Sequence, residues 1–425
     1  MALDATQPML THFLEGQMRS KNISNDDIAF ILGLPEGSWG NENRSYIYNA
    51  QVTEQDVTCL NGYFHVLDRV LQTPTNMAEV IRTNGKTKHF SRMLDRFSAP
   101  FYNANLTQQY QALHPSMSLN DSVFEKRYFA VRSQGGNQLS TTPEGEAMPG
   151  AYPYLSFDPG WNEYSASSTE AKEVDMGVIF APSDAAIEQY FLQGSGVALL
   201  NRYAKETPVT LQNLDYNLDQ LPLTIVRSLI NNLMKTSFNE SVPSKYLTIM
   251  NDARDQMFPA TSYPSVSDFK TKLVDTCLLA NNGLVYVINE VVAPADYASV
   301  IAPVLTSQNA QVMRAVITAD DNYVNGSQYN QAPLQKYFST YLKSMQSHFS
   351  LFVPTDDGLS TYGYVNPMSL ASGMAGQYNY LRFSFSNFTA SDNQKRLPIE
   401  ASAYSYNMET GPSQSDVRIW RNESR

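Results

Sequence analysis

Hydrophobic and polar positions along this chain fall into short β-branched and aromatic runs separated by helical stripes, and two of the runs occur twice. Asn282-Gly283-Leu284-Val285-Tyr286-Val287-Ile288 opens on an Asn-Gly turn signal and continues as an unbroken apolar stretch, the pattern of a mostly buried strand. Asn61-Gly62-Tyr63-Phe64-His65-Val66-Leu67-Asp68-Arg69-Val70-Leu71 has the same form near the start and reads the same way. A short polar link and a Val-Ile pair follow each copy, Val80-Ile81 and Val300-Ile301. Self-similarity at a long spacing predicts a tandem array of like domains.

A second element also recurs. Val178-Ile179-Phe180-Ala181-Pro182-Ser183-Asp184-Ala185-Ala186-Ile187 is matched by Leu351-Phe352-Val353-Pro354-Thr355-Asp356-Asp357-Gly358-Leu359. Each predicts a buried strand that stops at proline and turns into a helix. Ser183 and Thr355 stand where an N-cap hydroxyl accepts from the first free helical N–H groups. Asp184 and Asp356 place negative charge at the positive end of the helix dipole. Duplication of one folded unit requires the two copies to occupy like surroundings.

Other elements follow from periodicity. Phe90, Met93, Leu94 and Phe97 form one apolar helical stripe. Leu223, Val226, Leu229, Ile230 and Leu233 form another, with Pro222 at the first helical position. Residues 46–52 alternate as one strand. Helical patterns run over 300–305, 312–317 and 334–342, and residues 378–385 and 401–406 read as paired strands.

The repeated elements resemble the two signature boxes of the fasciclin-type domain, an extracellular adhesion module. One box is an apolar-Phe-Ala/Val-Pro-Ser/Thr-Asp strand and turn; the other is an Asn-Gly strand with histidine and aspartate. The copies at Phe180 and Asn61 fit closely. In the other copies Tyr286 replaces the histidine, Asn289 the aspartate and Gly358 a helical alanine. The resemblance implies an α+β fold of tandem fasciclin-like modules, each a curled β-sheet packed with helices. Residues 1–76 would be the C-terminal half of a module, 77–297 a complete module with a long insert at about 103–172, and 298–425 an N-terminal half. The two halves read as a fragment, or as pieces that complement each other. Residues 10–17 resemble the family's mid-domain tyrosine-histidine region, with Thr11 for the tyrosine. The middle module carries Asn231-Asn232-Leu233-Met234 at that place instead.

The insert is rich in Gly and Pro and carries Tyr152, Tyr154, Phe157, Trp161 and Tyr164. Aromatic loops on a rigid scaffold make recognition surfaces, and they also make small satellite cores; both readings stand. Glu54 and Asp56 occupy the place where, in animal members of the fasciclin family, an acidic element is implicated in integrin binding; a polar turn feeding a strand is the favoured reading of them here. Candidate binding residues are therefore Tyr152, Tyr154, Trp161, Tyr164, Glu54 and Asp56.

Charge and composition narrow the classes. A net charge of −11 argues against nucleic acid. No apolar run reaches the length of a membrane span, and the first residues lack a signal-peptide pattern. Cys59 and Cys277 read as two buried thiols, unpaired, without zinc spacing. The five histidines, His65 among them, fit structural roles, and no nucleophile elbow, phosphate loop or calcium loop is present. Hence no cofactor is expected. The resemblance implies a non-catalytic binding or adhesion protein at the cell surface, contacting a protein or glycan. Its closest style is that of outer-membrane lipoproteins, with any membrane contact made through an anchor outside these residues. An accessory subunit of an outer-membrane glycan-uptake complex is the first alternative, and a glycan-degrading enzyme the second.

Overall fold

The apolar run at 283–288 forms the middle of the largest buried sheet. In the computed structural model the described residues are 2–4, 12–35, 37, 45–72, 74–114, 122–133, 138–148, 152–161, 175–307, 309–310, 343, 349–361, 381–384, 402–405 and 420–421. The chain divides into two compact units, Met1–Met250 with Gln256–Val292, and Asn251–Asp255 with Ala293–Arg425. The architecture is mixed α and β, with several small sheets and helices.

In the first unit the strands are β1 Ala2–Asp4, β2 His12–Leu14, β3 Ser45–Ile47, β4 Ala50–Cys59, β5 Gly62–Leu67, β6 Ser98–Tyr102, β7 Phe124–Tyr128, β8 Gly177–Pro182, β9 Met234–Lys235, β10 Val274–Leu279 and β11 Gly283–Ile288. The α-helices of six or more residues are α1 Glu15–Ser20, α2 Asn25–Ile31, α3 Met77–Thr83, α4 Lys88–Asp95, α5 Ala104–Leu113, α6 Asp184–Leu192, α7 Val197–Tyr203, α8 Leu214–Asp219 and α9 Leu223–Leu233. Among the described residues three sheets form in this unit, in the orders β10-β11-β8-β9, β1-β7-β6 and β2-β3-β4-β5.

The first sheet is the core. β11 runs antiparallel to β10 and parallel to β8, in register from Gly283↔Gly177 to Ile288↔Pro182. Every residue of β11 is buried, which is why its sequence is a continuous apolar run rather than an alternating one. Phe180 and Tyr286 stack with centroids 5.0 Å apart, and Phe258 and Phe269 close the cluster at 5.1 Å from Phe180 and 6.3 Å from Tyr286. The Tyr286 hydroxyl, deep in this cluster, donates to the Ser241 carbonyl, and burial pushes its pKa well above the usual tyrosine value.

Helix chemistry follows the sequence closely. Ser183 caps α6, its hydroxyl accepting the Ala186 N–H at 3.2 Å. Asp184, in the first turn of α6, also serves another helix: its Oδ1 accepts the His89 N–H near the start of α4 at 2.9 Å. The stripe Phe90, Met93, Leu94 and Phe97 is fully buried, as is the Val226, Leu229, Ile230, Leu233 face of α9. Pro222 sits at the N-cap of α9, one position before the first helical residue.

Three expectations change. Residues 46–52 are not one strand: β3 and β4 form a hairpin that turns at Tyr48-Asn49, with Tyr48 at φ 48°. The run 61–71, expected to be mostly buried, is exposed along β5, with Tyr63 at 70% and Phe64 at 56%. Apolar pattern reports the face a strand can bury, and among the described residues the neighbour that buries β11 has no counterpart beside β5. Cys59 is exposed at the end of β4, not buried.

Residues 1–76, expected as a module apart, lie in the first unit. Asp27, buried in α2, accepts both the N–H and the hydroxyl of Ser244 at 2.7 and 2.6 Å, while completing a capping box with Ser24. Phe13 packs against Phe238 at 5.9 Å, and the Lys270 ammonium lies 5.3 Å over the Phe30 ring.

The second unit takes in Asn251–Asp255 and the residues from Ala293 onward. It contains α10 Ala295–Ala298, α11 Ala302–Thr306, β12 Phe349–Ser350, α12 Asp356–Thr361, β13 Leu381–Ser384, β14 Ser402–Ser405 and β15 Trp420–Arg421. β13 and β14 pair antiparallel, as the sequence predicts. The helical patterns at 312–317 and 334–342 lie outside the described residues. Thr355 repeats the cap of Ser183, its hydroxyl accepting the Gly358 N–H at 3.2 Å. The strand does not repeat: residues 351–355 are not in a strand, and Phe352 is 66% exposed where Phe180 is fully buried. The two copies share a cap and not an environment.

Candidate functional site

The expected insert builds a groove. β6 and β7 pair antiparallel from Ser98↔Tyr128 to Tyr102↔Phe124, joined through α5, whose N-cap Asn103 accepts the Leu106 N–H at 2.9 Å. Asn103 also donates to Glu125 on β7 at 2.8 Å, which ties the helix start to the ribbon. A short hairpin follows, bridged at Thr141↔Ala147. Its turn is Thr142-Pro143-Glu144-Gly145, with the Gly145 N–H donating to Thr142 O at 2.9 Å and Gly145 at φ 87°. Proline pre-sets the second turn position and glycine takes the left-handed one, so this stretch folds locally.

Together these elements enclose an open groove of about 700 Å3, whose aromatic lining is Tyr102, Phe124, Phe129 and Tyr152, with Thr142 and Glu144 from the turn. Phe129 meets Tyr152 at 5.0 Å, Tyr152 meets Tyr154 at 5.3 Å, and Tyr102 meets Phe124 edge-on at 5.9 Å. Tyr102 is largely exposed. Burial, with Tyr154 beside it, raises the Tyr152 hydroxyl above its ordinary pKa, so it stays a neutral donor. The Thr142 hydroxyl oxygen is buried with no hydrogen-bond partner among the described residues. An orphaned polar atom in a groove wall is a place for a ligand hydroxyl or a water.

The wall behind the groove is braced from the core. Asn231 of α9 accepts the Ser156 N–H at 2.9 Å and donates to Tyr154 O at 3.2 Å. This is where the fasciclin resemblance leads one to look for a histidine; the asparagine there holds the insert's backbone. The turn Pro159-Gly160-Trp161 is gripped by Asn76, which donates to Gly160 O, and by Asn282, which donates to Pro159 O and Trp161 O.

The expected site residues separate. Tyr152 lines the groove and Tyr154 packs against it, its hydroxyl donating to Leu139 O at 3.0 Å. Trp161 is 6% exposed, so of the two readings of the insert's aromatics it takes the core one and is not presented to a ligand. Tyr164 lies outside the described residues. Glu54 and Asp56 are on exposed β4, in a different sheet, and do not line the groove. Asp56 sits at φ 58° with its N–H donating to His65 Nδ1 at 3.2 Å. The residues that sequence reasoning missed are Tyr102, Phe124, Phe129 and the 142–144 turn. The Pro-Glu-Gly turn was a legible signal, but the β6–β7 pairing that puts it beside the rings was not.

One further polar cluster lies apart from the groove. His89 is held with Nδ1 2.6 Å from Asp215 and Nε2 3.4 Å from Glu188, and the ring braces α4 against α6 and α8. Among the described residues no three His, Cys, Asp or Glu side chains group as a metal site, and no helix is long and apolar enough to cross a membrane. No protein-family model matches this sequence, and no curated protein is significantly similar to it.

Proposed function

We propose that this chain is a non-catalytic binding protein of the cell surface, and that the groove over β6 and β7 captures a glycan; the unlike surroundings of 178–187 and 351–359 remove the support for tandem fasciclin-like modules. The observation that carries this reading is the lining: Tyr102, Phe124 and Tyr152 beside the unpartnered hydroxyl of Thr142 and the Glu144 carboxylate. Sugar rings offer apolar C–H faces that pack on aromatic rings, and hydroxyls that pair with a few placed polar atoms. An open groove suits a chain that continues past the site at both ends. A glycan ligand also favours the accessory role in an outer-membrane uptake complex over adhesion through a protein partner.

The test is calorimetric titration of the full chain against a panel of host, plant and bacterial oligosaccharides, repeated with Tyr152→Ala and Tyr102→Ala. The expected result is saturable binding of one glycan class, weakened roughly tenfold or more by each substitution. Binding that survives both, or turnover that a single carboxylate substitution abolishes, overturns the reading.

A further inference from the structure

β5 and β11 carry one strand signature and have different neighbours. β11 is flanked on both sides, by β10 and β8, whereas β5 has β4 on one side and is the last strand of its sheet among the described residues. The pairing with β8 leaves a steric mark. A Cβ built on Gly283 would stand 2.5 Å from the Gly177 carbonyl oxygen; one built on Gly62 meets nothing within 4 Å. The side chains agree: Leu284 and Val285 are fully buried, and their counterparts Tyr63 and Phe64 are in the open. His65 stands where Tyr286 stands in the other copy, and Tyr286 is the ring on which Phe180 of β8 stacks, with planes 14° apart.

We propose that the free edge of β5 is a docking site for an extended polypeptide segment of the β8 kind, presented by another polypeptide and taken up in parallel. Such a segment is apolar, has phenylalanine at its fourth position and proline at its sixth, and continues into a hydroxyl residue and aspartate. Its phenylalanine packs over His65 as Phe180 packs over Tyr286. The internal precedent for the occupant is β8 itself, in register from Gly177↔Gly283 to Pro182↔Ile288. An edge strand offers unpaired backbone N–H and C=O groups, and proteins that do not use such an edge protect it with proline, lysine or a bulge. β5 contains neither proline nor lysine, and both irregularities of this hairpin, between Val52 and Glu54 and between Glu54 and Val57, insert their extra residue on β4. The edge of β5 is regular and apolar, the form that accepts an added strand. This inference does not depend on the groove.

The experiment adds a synthetic peptide with the sequence of residues 176–187 to the full chain, and follows binding by fluorescence anisotropy and amide hydrogen exchange by mass spectrometry. The expected result is saturable binding with exchange over residues 62–67 slowed roughly tenfold or more. Binding is lost when the peptide carries Phe180→Asp, and also when the chain carries Phe64→Lys with an unchanged melting temperature. Protection of the same residues that rises with protein concentration alone, without peptide, also supports the site and identifies a second copy as the source of the segment. Equal binding of a scrambled peptide, unchanged exchange at 62–67, or protection confined to β10 and β11 overturns it.

Discussion

The side-chain oxygen of Asn282 accepts the backbone N–H of Met77 at 2.8 Å, across 205 positions of sequence. Its Nδ2 donates at the same time to the carbonyls of Pro159 and Trp161, each at 3.1 Å. One buried amide thus joins the start of α3, the end of the insert and the turn into β11. Asn282→Ala leaves the Met77 N–H and the Trp161 carbonyl without this partner, at about 1–3 kcal/mol for a group left unpaired, while Pro159 O keeps the Ala78 N–H at 3.1 Å. Chemical denaturation is expected to show a loss of about 3 kcal/mol or more, with far-UV circular dichroism of the folded form unchanged.

Gly283 is required by closeness, not by backbone conformation. A methyl there meets the Gly177 carbonyl oxygen and the Met77 sulfur. Gly283→Ala is expected to destabilise by about 1–3 kcal/mol, as overpacking does. Gly16, in α1, has nothing within 4 Å of a Cβ, so Gly16→Ala is expected to be stabilising by about 0.5–1 kcal/mol through helix propensity. Urea midpoints of the two variants should move in opposite directions.

Tyr152 and Trp161 are nine residues apart in the insert and should behave as opposites. Trp161→Ala empties a core position and is expected to cost about 3–5 kcal/mol, read as a lowered melting temperature. Tyr152→Ala removes a groove ring, and its effect is expected in glycan affinity far more than in melting temperature. A Tyr152 variant that melts early and still binds would place the ring in the core instead.

The two thiols differ in reach. Cys59 is exposed on β4, while Cys277 on β10 is half-buried and burial pushes its thiol pKa far above the usual range. Maleimide labelling of the native chain at neutral pH should modify Cys59 alone, and denaturation should release Cys277. Rapid labelling of both in the native state would show that β10 opens.

Asp275 is held below the ordinary aspartate range first by its hydrogen bond with Lys86, with Thr276 assisting and burial opposing. A depressed folded pKa stabilises above the unfolded value and is lost as pH falls through the folded one. The Lys86–Asp275 contribution should therefore be complete above the ordinary value of 3.8 and fade below it. Melting temperatures of the native chain and Asp275→Asn, followed from pH about 6 down to about 2, should differ at the upper end and converge at the acid end. The separation should be small, because the pair is partly solvated.

How much of this was legible depends on the range of each interaction. The Ser183 cap is local, as are the Phe90 and Val226 faces, and sequence alone places them. The Asn-Gly strand at 282–288 is legible because an apolar run that long needs cover on both faces. The same reasoning misplaces 61–67, since a pattern records what a strand can bury and not whether a partner stands beside it. The groove was only half visible: Tyr152 lies in an aromatic cluster that invites notice, but Tyr102 and Phe124 reach it through strand pairing across α5. Trp161 shows the converse, an aromatic in a loop-like stretch that long-range asparagine bonds draw into the core. The likeness of 178–187 to 351–359 survives at the hydroxyl cap, which is written in adjacent residues, and ends at the strand, which is not.

The bond between Asp27 and Ser244 sets an order on synthesis. The two residues are 217 positions apart. Translation at about 5–20 residues per second puts roughly 10–40 s between their appearances. Throughout that interval the carboxylate has its capping serine but not its distant clasp, and Phe13 lacks Phe238. The leading segment must therefore wait, solvated or shielded by a chaperone, until the polypeptide has been made almost to the end of its first unit.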